Sequence, residues 1–247
     1  MSGEGGPDRP AFYVRGRGRT RDLLAILHPP YTLWHLSYVV IGATAAPRMD
    51  WSLLGLTIAA FFLAVGVAAH ALDELRGRPL GTTFSAAALE VLAGTNLAGA
   101  VAIGAVEASV VGWWFLALVA AGATLVVAYN LELFHGRLHT DLGFAASWGG
   151  FPALVGYVVE KRGVTPSALA LAAAATGLSL AQRALSTQAR MLRRNVASVE
   201  GVLMLRGGGH SELSRPLLLG PVEVALTTLS WSVVLLALGL VGARAGF

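Results

Sequence analysis

The feature that most constrains this chain is a series of long apolar runs that contain almost no charge. Several approach or exceed the roughly 20 residues that an α-helix needs to cross a bilayer. They are apolar on every side, whereas the strands of a membrane β-barrel alternate apolar and polar residues. We therefore predict an all-α, polytopic membrane bundle with about seven transmembrane helices. The predicted spans are Pro30–Ala46, Trp51–Ala71, Ala86–Val106, Val110–Asn130, Leu142–Val159, Ser167–Leu185 and Leu217–Val241.

The composition excludes several other classes of protein. Charged residues make up 13% of the chain, against about 25% in a soluble domain, so the polar surface of a water-facing globule is missing. We predict no nucleic-acid partner, although the isoelectric point is near 10.0. Cysteine is absent, which excludes disulfides, thiolate nucleophiles and cysteine-bound metals.

The distribution of basic residues predicts the orientation of the spans. With seven spans, fourteen of the eighteen Lys and Arg residues fall on the side of the N-terminus. Because basic loops stay in the cytoplasm, we expect a multi-pass protein of the cell membrane with a cytoplasmic N-terminus. Residues 1–20 are rich in Gly, Pro and Arg and are predicted to form a disordered basic tail attracted to lipid headgroups. Residues 21–247 are then the transmembrane domain, and 22–27 are predicted to form a short interfacial helix.

Polar side chains gather near the predicted cytoplasmic ends of the spans. Because polar groups are costly in hydrocarbon, we interpret them as the lining of a cytoplasm-facing polar cavity, with a solvated rim of helix caps as the alternative. On one helix face, His70 lies near both Asp73 and Glu74. His135 and His139 share a face with Glu132 if the fourth helix continues past Gly136. This mixed nitrogen and oxygen set, which includes Asp73, suits Zn or non-haem Fe.

Basic side chains recur on the sixth predicted helix. Arg183, Arg190 and Arg194 are spaced by seven and four residues and therefore share one face. Arginine binds phosphate oxygens through two parallel hydrogen bonds without a metal. These residues are accordingly predicted to bind an anionic head group. The alternative is that they follow the positive-inside bias and contact lipid headgroups.

Two stretches of the chain resemble motifs of the UbiA superfamily of intramembrane prenyltransferases. The first is Ala69-His-Ala-Leu-Asp-Glu-Leu-Arg-Gly-Arg-Pro-Leu80, followed by Ser85. It is similar to the family's acidic motif at the end of the second helix, which precedes Arg-Pro-Leu and a Ser-led third helix. The second runs from Tyr129-Asn through His135 and Asp141-Leu to Gly149-Gly-Phe-Pro152 and Gly156-Tyr. It resembles the family's hairpin of the fourth and fifth helices, and His28-Pro-Pro-Tyr-Thr-Leu33 resembles the start of its first helix.

The resemblance covers about residues 22–195, and the chain departs from the family pattern in three places. His70 stands where the first motif has its leading Asp, and the third acidic position is missing because Arg76-Gly-Arg78 arrives early. The second Asp-rich motif is replaced by the basic stretch Ser186–Asn195. The family tends to have nine spans, so up to nine are possible here. The fold is therefore predicted to be UbiA-like, with a reduced set of acidic residues.

The resemblance implies an enzyme that processes an isoprenoid diphosphate. Mg²⁺, in at most one site, would hold the diphosphate, and an aromatic ring would stabilise the allylic cation. The predicted catalytic residues are Asp73, Tyr129 and Arg183. The predicted substrate-binding residues are Arg78, Asn130, Gln182, Arg190 and Arg194. The predicted metal ligands are His70, Asp73, Glu74, Glu132, His135, His139 and Asp141.

Three functional hypotheses follow from these residues. The first is a UbiA-like prenyltransferase, or a related enzyme that cyclises or hydrolyses an isoprenoid diphosphate. The second is a His/carboxylate metalloenzyme that uses Zn or Fe and acts on a lipid. The third is a non-catalytic protein of the same fold that binds a lipid or a partner.

Overall fold

The computed structural model describes residues 18–247, which form a helical bundle with one small hairpin. The helices are α1 (Arg19–Leu27), α2 (Pro29–Ala45), α3 (Trp51–Leu75), α4 (Ala86–Val111), α5 (Trp113–Asn130), α6 (Asp141–Lys161), α7 (Pro166–Arg194) and α8 (Arg215–Ala245). The strands β1 (Val202–Met204) and β2 (His210–Glu212) pair antiparallel between α7 and α8, with Val202 opposite Glu212. The predicted all-α architecture is confirmed, while this short hairpin was not expected.

Six helices in the described part of the chain, α3 to α8, are long and apolar enough to cross a membrane. The prediction of a multi-pass helical bundle is confirmed at that level. The first predicted span corresponds to α2, which has 17 residues and lies at the lower limit of the range of about 17–25 residues for a membrane helix. Ten of those residues are buried, so α2 packs inside the bundle. Its main partners are α6 and α8.

Polar residues before the helices fix where four of them begin. Asp50, Ser85, Thr140 and Thr165 each accept a hydrogen bond from a backbone N–H in the first turn of the helix that follows. Such caps satisfy N–H groups that have no partner within the helix. The observed helices start close to the predicted spans for this reason. Several end later, because their last turns are polar and fall outside an apolar run.

Close contact between α2 and α6 depends on two glycines. A Cβ on Gly42 would overlap the carbonyl oxygen of Ala153, and a Cβ on Gly156 would overlap that of Val39. Small residues allow helix backbones to approach closely in membrane bundles, where packing replaces the hydrophobic effect as the main attraction. The Gly156 spacing that contributed to the family resemblance therefore has a direct role in packing.

Two helices contain wide π-type turns close to their polar ends. In α3 the stretch is Phe62–Ala69, and in α6 it is Ala146–Gly150. Wide turns of this kind occur often at functional sites, because they rotate the side chains that follow. In α6 the carbonyl of Trp148 is hydrogen-bonded by Nδ1 of His35 at 2.7 Å. The turn in α3 comes directly before His70.

Loops 76–85, 131–140 and 195–214 lie at one end of the bundle, which we call the polar end. Arg76 joins the first two loops through an ion pair with Glu132 at 2.9 Å. Arg193 at the end of α7 pairs with Glu223 of α8 at 2.6 Å. The opposite end carries the loops that follow α2, α4 and α6. The structure thus collects the chain's longer polar loops at a single end.

The short helix α1 is fastened across loop 76–85. The Arg21 guanidinium donates hydrogen bonds to the carbonyls of Leu80 and Gly81 at 3.1 and 2.8 Å. The carboxylate of Asp22 accepts hydrogen bonds from the backbone and hydroxyl groups of Thr83 at 2.9 and 2.5 Å. The helix predicted at residues 22–27 is therefore present. Residues 1–17 of the predicted tail lie outside the described residues.

Candidate functional site at the polar end

Asp73 has the least constrained carboxylate of the predicted site. It is half-buried near the end of α3, and its oxygens make no hydrogen bond or ion pair with other residues in 18–247. The charges that act on it come from His139, Glu132 and Arg183, as well as from its neighbour Glu74. The fold therefore brings α3, loop 131–140 and α7 together around this group.

Tyr129 forms the wall of the same cluster. It is buried at the end of α5 and interacts electrostatically with Asp73, Arg183 and Arg190. The ring of His139 stacks on it with centroids 4.6 Å apart. Trp148 meets it edge-on at 5.5 Å. Three predicted site residues, one on α3 and two on α7, are thus within electrostatic range of this aromatic ring.

Arg183 is held by α6. Its Nε donates to Oδ1 of Asp141 at 3.0 Å, and its guanidinium carbon lies 4.8 Å from the centre of the Phe144 ring. A guanidinium drawn toward the apolar region must find a partner, and Asp141 supplies it. The side chain keeps 21% of its surface exposed. Further along the helix, Arg190 and Arg194 are exposed.

The other predicted substrate-binding residues have different surroundings. Gln182 is buried, and its Oε1 has no hydrogen-bond partner among the described residues. Asn130 is also buried, and its amide donates to the carbonyl of Val126 at 2.7 Å. Arg78 is exposed in a left-handed backbone conformation and donates to the carbonyl of Phe84 at 2.6 Å. Gln182 therefore retains an unused acceptor, whereas Arg78 closes a loop.

Glu74 holds a loop together. It is fully buried, and its Oε2 accepts a hydrogen bond from the Leu80 N–H at 2.8 Å. Its Oε1 accepts hydrogen bonds from the N–H and hydroxyl of Thr82 at 2.7 and 2.9 Å. Both oxygens point into loop 76–85 and away from the cluster around Asp73. We accordingly remove Glu74 from the set of metal ligands that we propose.

Loop 131–140 does not continue the helix of Tyr129. The backbone has positive φ angles at Glu132, Phe134 and His135, of 50°, 58° and 60°, so α5 ends at Asn130. Glu132, His135 and His139 therefore do not share a helix face, and the expectation that depended on a continued helix is wrong. Glu132 pairs with Arg76, and His135 is exposed.

The remaining histidines are engaged with other groups. Nδ1 of His139 lies 3.3 Å from the carbonyl of Tyr129. Nδ1 of His70 lies 3.2 Å from the carbonyl of Gly66, and the His70 ring stacks on His28 with centroids 5.2 Å apart. Burial, with the neighbouring charge of His70 as a smaller cause, lowers the pKa of His28 to about 3. Near neutral pH the His28 ring is therefore uncharged.

A preformed multi-ligand metal centre is not assembled from the predicted residues. Within residues 18–247, no group of three or more His, Asp or Glu side chains has the arrangement to hold a metal ion. Of the seven predicted ligands, Glu74 holds loop 76–85, Glu132 pairs with Arg76 and Asp141 pairs with Arg183. His70 and His139 bond backbone carbonyls, whereas His135 is exposed and Asp73 makes none of these contacts. We therefore do not carry the Zn or Fe hypothesis forward.

An apolar cavity lies beside the cluster, between α3, α4, α5 and α6. It encloses about 620 Å³ of space not filled by atoms, including the part that opens to the outside. Its wall includes Phe61, Leu97, Val126, Trp148 and Phe151. Since Trp148 also contacts Tyr129, the cavity begins next to the polar cluster. A ligand with a charged head and an apolar tail can be accommodated by this combination.

Sequence reasoning missed the aromatic residues of α6. Phe144 follows Asp141 by three residues and Trp148 follows it by seven, so a helix over this stretch places all three on one side. That spacing was the available signal. Glu107 was missed because the third span was predicted to end at Val106, whereas α4 continues to Val111.

No protein-family model, curated protein or solved structure matches this chain.

Proposed function

We propose that this protein is a UbiA-like intramembrane enzyme that processes an isoprenoid diphosphate at its polar end. The observation that carries the proposal is the convergence of Asp73, Tyr129 and Arg183 from three helices beside an apolar cavity. The polar end would then face the cytoplasm of the cell, as the basic residues predict.

The head group of the substrate would meet arginine first. Arg183 is oriented by Asp141 and by the face of Phe144, so it loses little freedom when an anion binds. Arg190 is exposed on the same helix face and adds a second charge. Arginine matches phosphate oxygens geometrically, and the buried Gln182 offers polar contact nearby.

Asp73 fits the requirement for one Mg²⁺ ion. Magnesium prefers oxygen ligands and is commonly bound by one or two carboxylates together with substrate phosphates. Both carboxylate oxygens of Asp73 are free of hydrogen bonds from residues 18–247, whereas those of Glu74 accept hydrogen bonds from loop 76–85. When bound there, the ion would offset charge on the departing diphosphate. Of the two adjacent acids, only Asp73 would bind the Mg²⁺ ion.

Aromatic rings would shield the reacting carbon. The ring centroids of Phe144 and Trp148 lie 6.2 and 5.5 Å from the ring centroid of Tyr129. The faces of such rings attract positive charge. They also exclude water at the point where the cavity meets the polar cluster. An allylic cation formed there would be stabilised until an acceptor or water reaches it.

The test is binding and turnover of farnesyl diphosphate by the purified full-length protein with Mg²⁺. We expect Arg183→Gln to weaken binding by about 1–3 kcal/mol, which is the range for a hydrogen bond to a charged group. Arg206→Gln, on the exposed hairpin turn, is the matched control and should have almost no effect. Equal small effects of the two substitutions would contradict the proposal.

A non-catalytic lipid-phosphate-binding protein is the second candidate. It is favoured by the lack of a three-ligand metal group in the described chain and by the basic stretch in place of a second acidic motif. Release of inorganic diphosphate from farnesyl diphosphate separates the two functions. Binding that depends on Arg183 without any release would support the second candidate.

A further inference from the structure

Glu107 is a buried carboxyl group that the proposed function does not use. It lies in α4 about one turn before the helix ends at Val111, toward the opposite end of the bundle from Asp73. Only 2% of its surface is exposed, and it lines the apolar cavity together with Thr57. Ionisable residues at such a depth are costly, and they are kept in membrane proteins for a function.

The protein satisfies only half of this carboxyl group. Thr57 donates its hydroxyl hydrogen to Oε1 of Glu107 at 2.5 Å. The other oxygen makes no hydrogen bond with residues 18–247, and no Lys, Arg or His side chain there forms an ion pair with Glu107. The charge that acts on it is that of Glu160, which has the same sign. Glu107 differs in this respect from Glu74, whose two oxygens hold a loop.

We propose that the apolar cavity binds a lipid-soluble molecule with a hydroxyl group, which Glu107 and Thr57 hold at the end of the cavity remote from Tyr129. A hydrocarbon tail has no hydrogen-bond donor for the free oxygen of Glu107. A charged ligand is disfavoured because almost the entire wall is apolar, and bringing a charge there costs far more than bringing a hydroxyl. A phenol or an alcohol with a short apolar body matches both the wall and the carboxyl group.

The cavity limits the size of this molecule. Along α3 its lining extends from Thr57 to Val65, which corresponds to about 12 Å of helix at 1.5 Å per residue. A single ring with a medium alkyl chain occupies such a length. The inference goes beyond the proposed function and stands on the cavity alone, whether or not the polar end binds a diphosphate.

Binding of a matched pair of probes tests this proposal. The pair is 4-butylphenol and butylbenzene, which differ by one hydroxyl group, titrated by calorimetry into the full-length protein in lipid nanodiscs. We expect the phenol to bind about tenfold more tightly. Glu107→Leu should abolish the difference between the probes, because it removes the acceptor while keeping an apolar wall. Glu160→Gln, which leaves Glu107 in place, is the control and should preserve the difference.

A second variant tests the proposal even if Glu107→Leu fails to fold. Ala123 lines the cavity, so Ala123→Leu should weaken both probes alike by occupying their space. The proposal is overturned if the native protein binds both probes equally, or neither, which would leave water as the partner of Glu107. It is also overturned if Glu107→Leu retains the preference for the phenol. Binding of inorganic diphosphate, which has no apolar tail, is measured separately and reports on the polar end and not on this site.

Discussion

Replacing Glu74 tests whether this acid is a structural latch. Its carboxylate accepts three hydrogen bonds from Leu80 and Thr82 at 2.7–2.9 Å, and the residue is fully buried. Glu74→Ala leaves the backbone N–H groups of both loop residues without an acceptor. Its sequence neighbour Asp73 makes no such bonds, which provides a matched control one position away.

The expected loss of stability follows from those groups. A buried donor left unsatisfied costs about 1–3 kcal/mol, and two backbone donors are left by Glu74→Ala. Because Gly81 and Thr83 in the same loop are exposed, water reaches part of the vacated space and reduces the penalty. We therefore expect a loss of about 2–4 kcal/mol for Glu74→Ala, from two donors at the range above. Glu74→Gln keeps one acceptor oxygen and should fall between.

The assay is reversible unfolding of the detergent-solubilised protein, followed by tryptophan fluorescence. The chain has six tryptophans, and Trp148 and Trp34 lie inside the bundle. Asp73→Asn should change the free energy of unfolding by no more than about 0.5 kcal/mol, as for a substitution away from any bonded network. A Glu74→Ala protein as stable as the Asp73→Asn protein would refute the latch and return Glu74 to the candidate ligands.

Three further predictions rest on other parts of the fold. Gly42→Ala should destabilise the α2–α6 contact, because the new Cβ overlaps the carbonyl oxygen of Ala153. Gly55→Ala places its Cβ in open space and is the control, so thermal unfolding should show a loss of stability for the first variant alone. His28 has its pKa lowered to about 3 by burial, so the unfolded chain takes up the proton first and stability falls as pH decreases below 6.5. From pH 7.5 to 4.5 the free energy of unfolding of the wild type should fall relative to that of His28→Gln. A difference that does not change with pH would contradict this prediction. A single cysteine in place of Arg78, in a chain without native cysteine, should be labelled only from the cytoplasmic side, and labelling from outside intact cells would reverse the proposed orientation.

The helical architecture was predictable because it depends on apolar runs. The spans and the observed helices agree best where a cap or a proline marks the start, as at Ser85 and Pro166. They agree least where a helix ends in polar residues. Helix α7 continues to Arg194, well past the predicted end at Leu185. The predicted span stopped early because the amphipathic last turns of this helix carry no hydropathy signal. The same limitation left Glu107 outside its predicted span.

The candidate site was predictable as a collection of residues but less so in its roles. Asp73 and Glu74 have the same chemistry and adjacent positions, yet only the structure shows that one faces the cluster and the other holds a loop. Spacing predicts which residues share a helix face only where the helix exists. It failed after Asn130, because the chain there takes left-handed conformations that no spacing rule includes.

The two ends of the bundle differ in how their charged groups are compensated, and this difference favours two binding sites. At the polar end, Asp141 is paired with Arg183, so the free carboxylate of Asp73 lies in surroundings that already contain positive charge. At the far end of the cavity, Glu107 has a hydroxyl as its partner and another carboxyl as its neighbour. A diphosphate would be attracted to the first environment and repelled by the second. A neutral molecule with a hydroxyl has the opposite preference, because the apolar body of that molecule makes no favourable contact with a charged cluster. If both ligands bind, the aromatic residues around Trp148 lie between them, and the hydroxyl held by Glu107 stays at the far end of the cavity from the diphosphate.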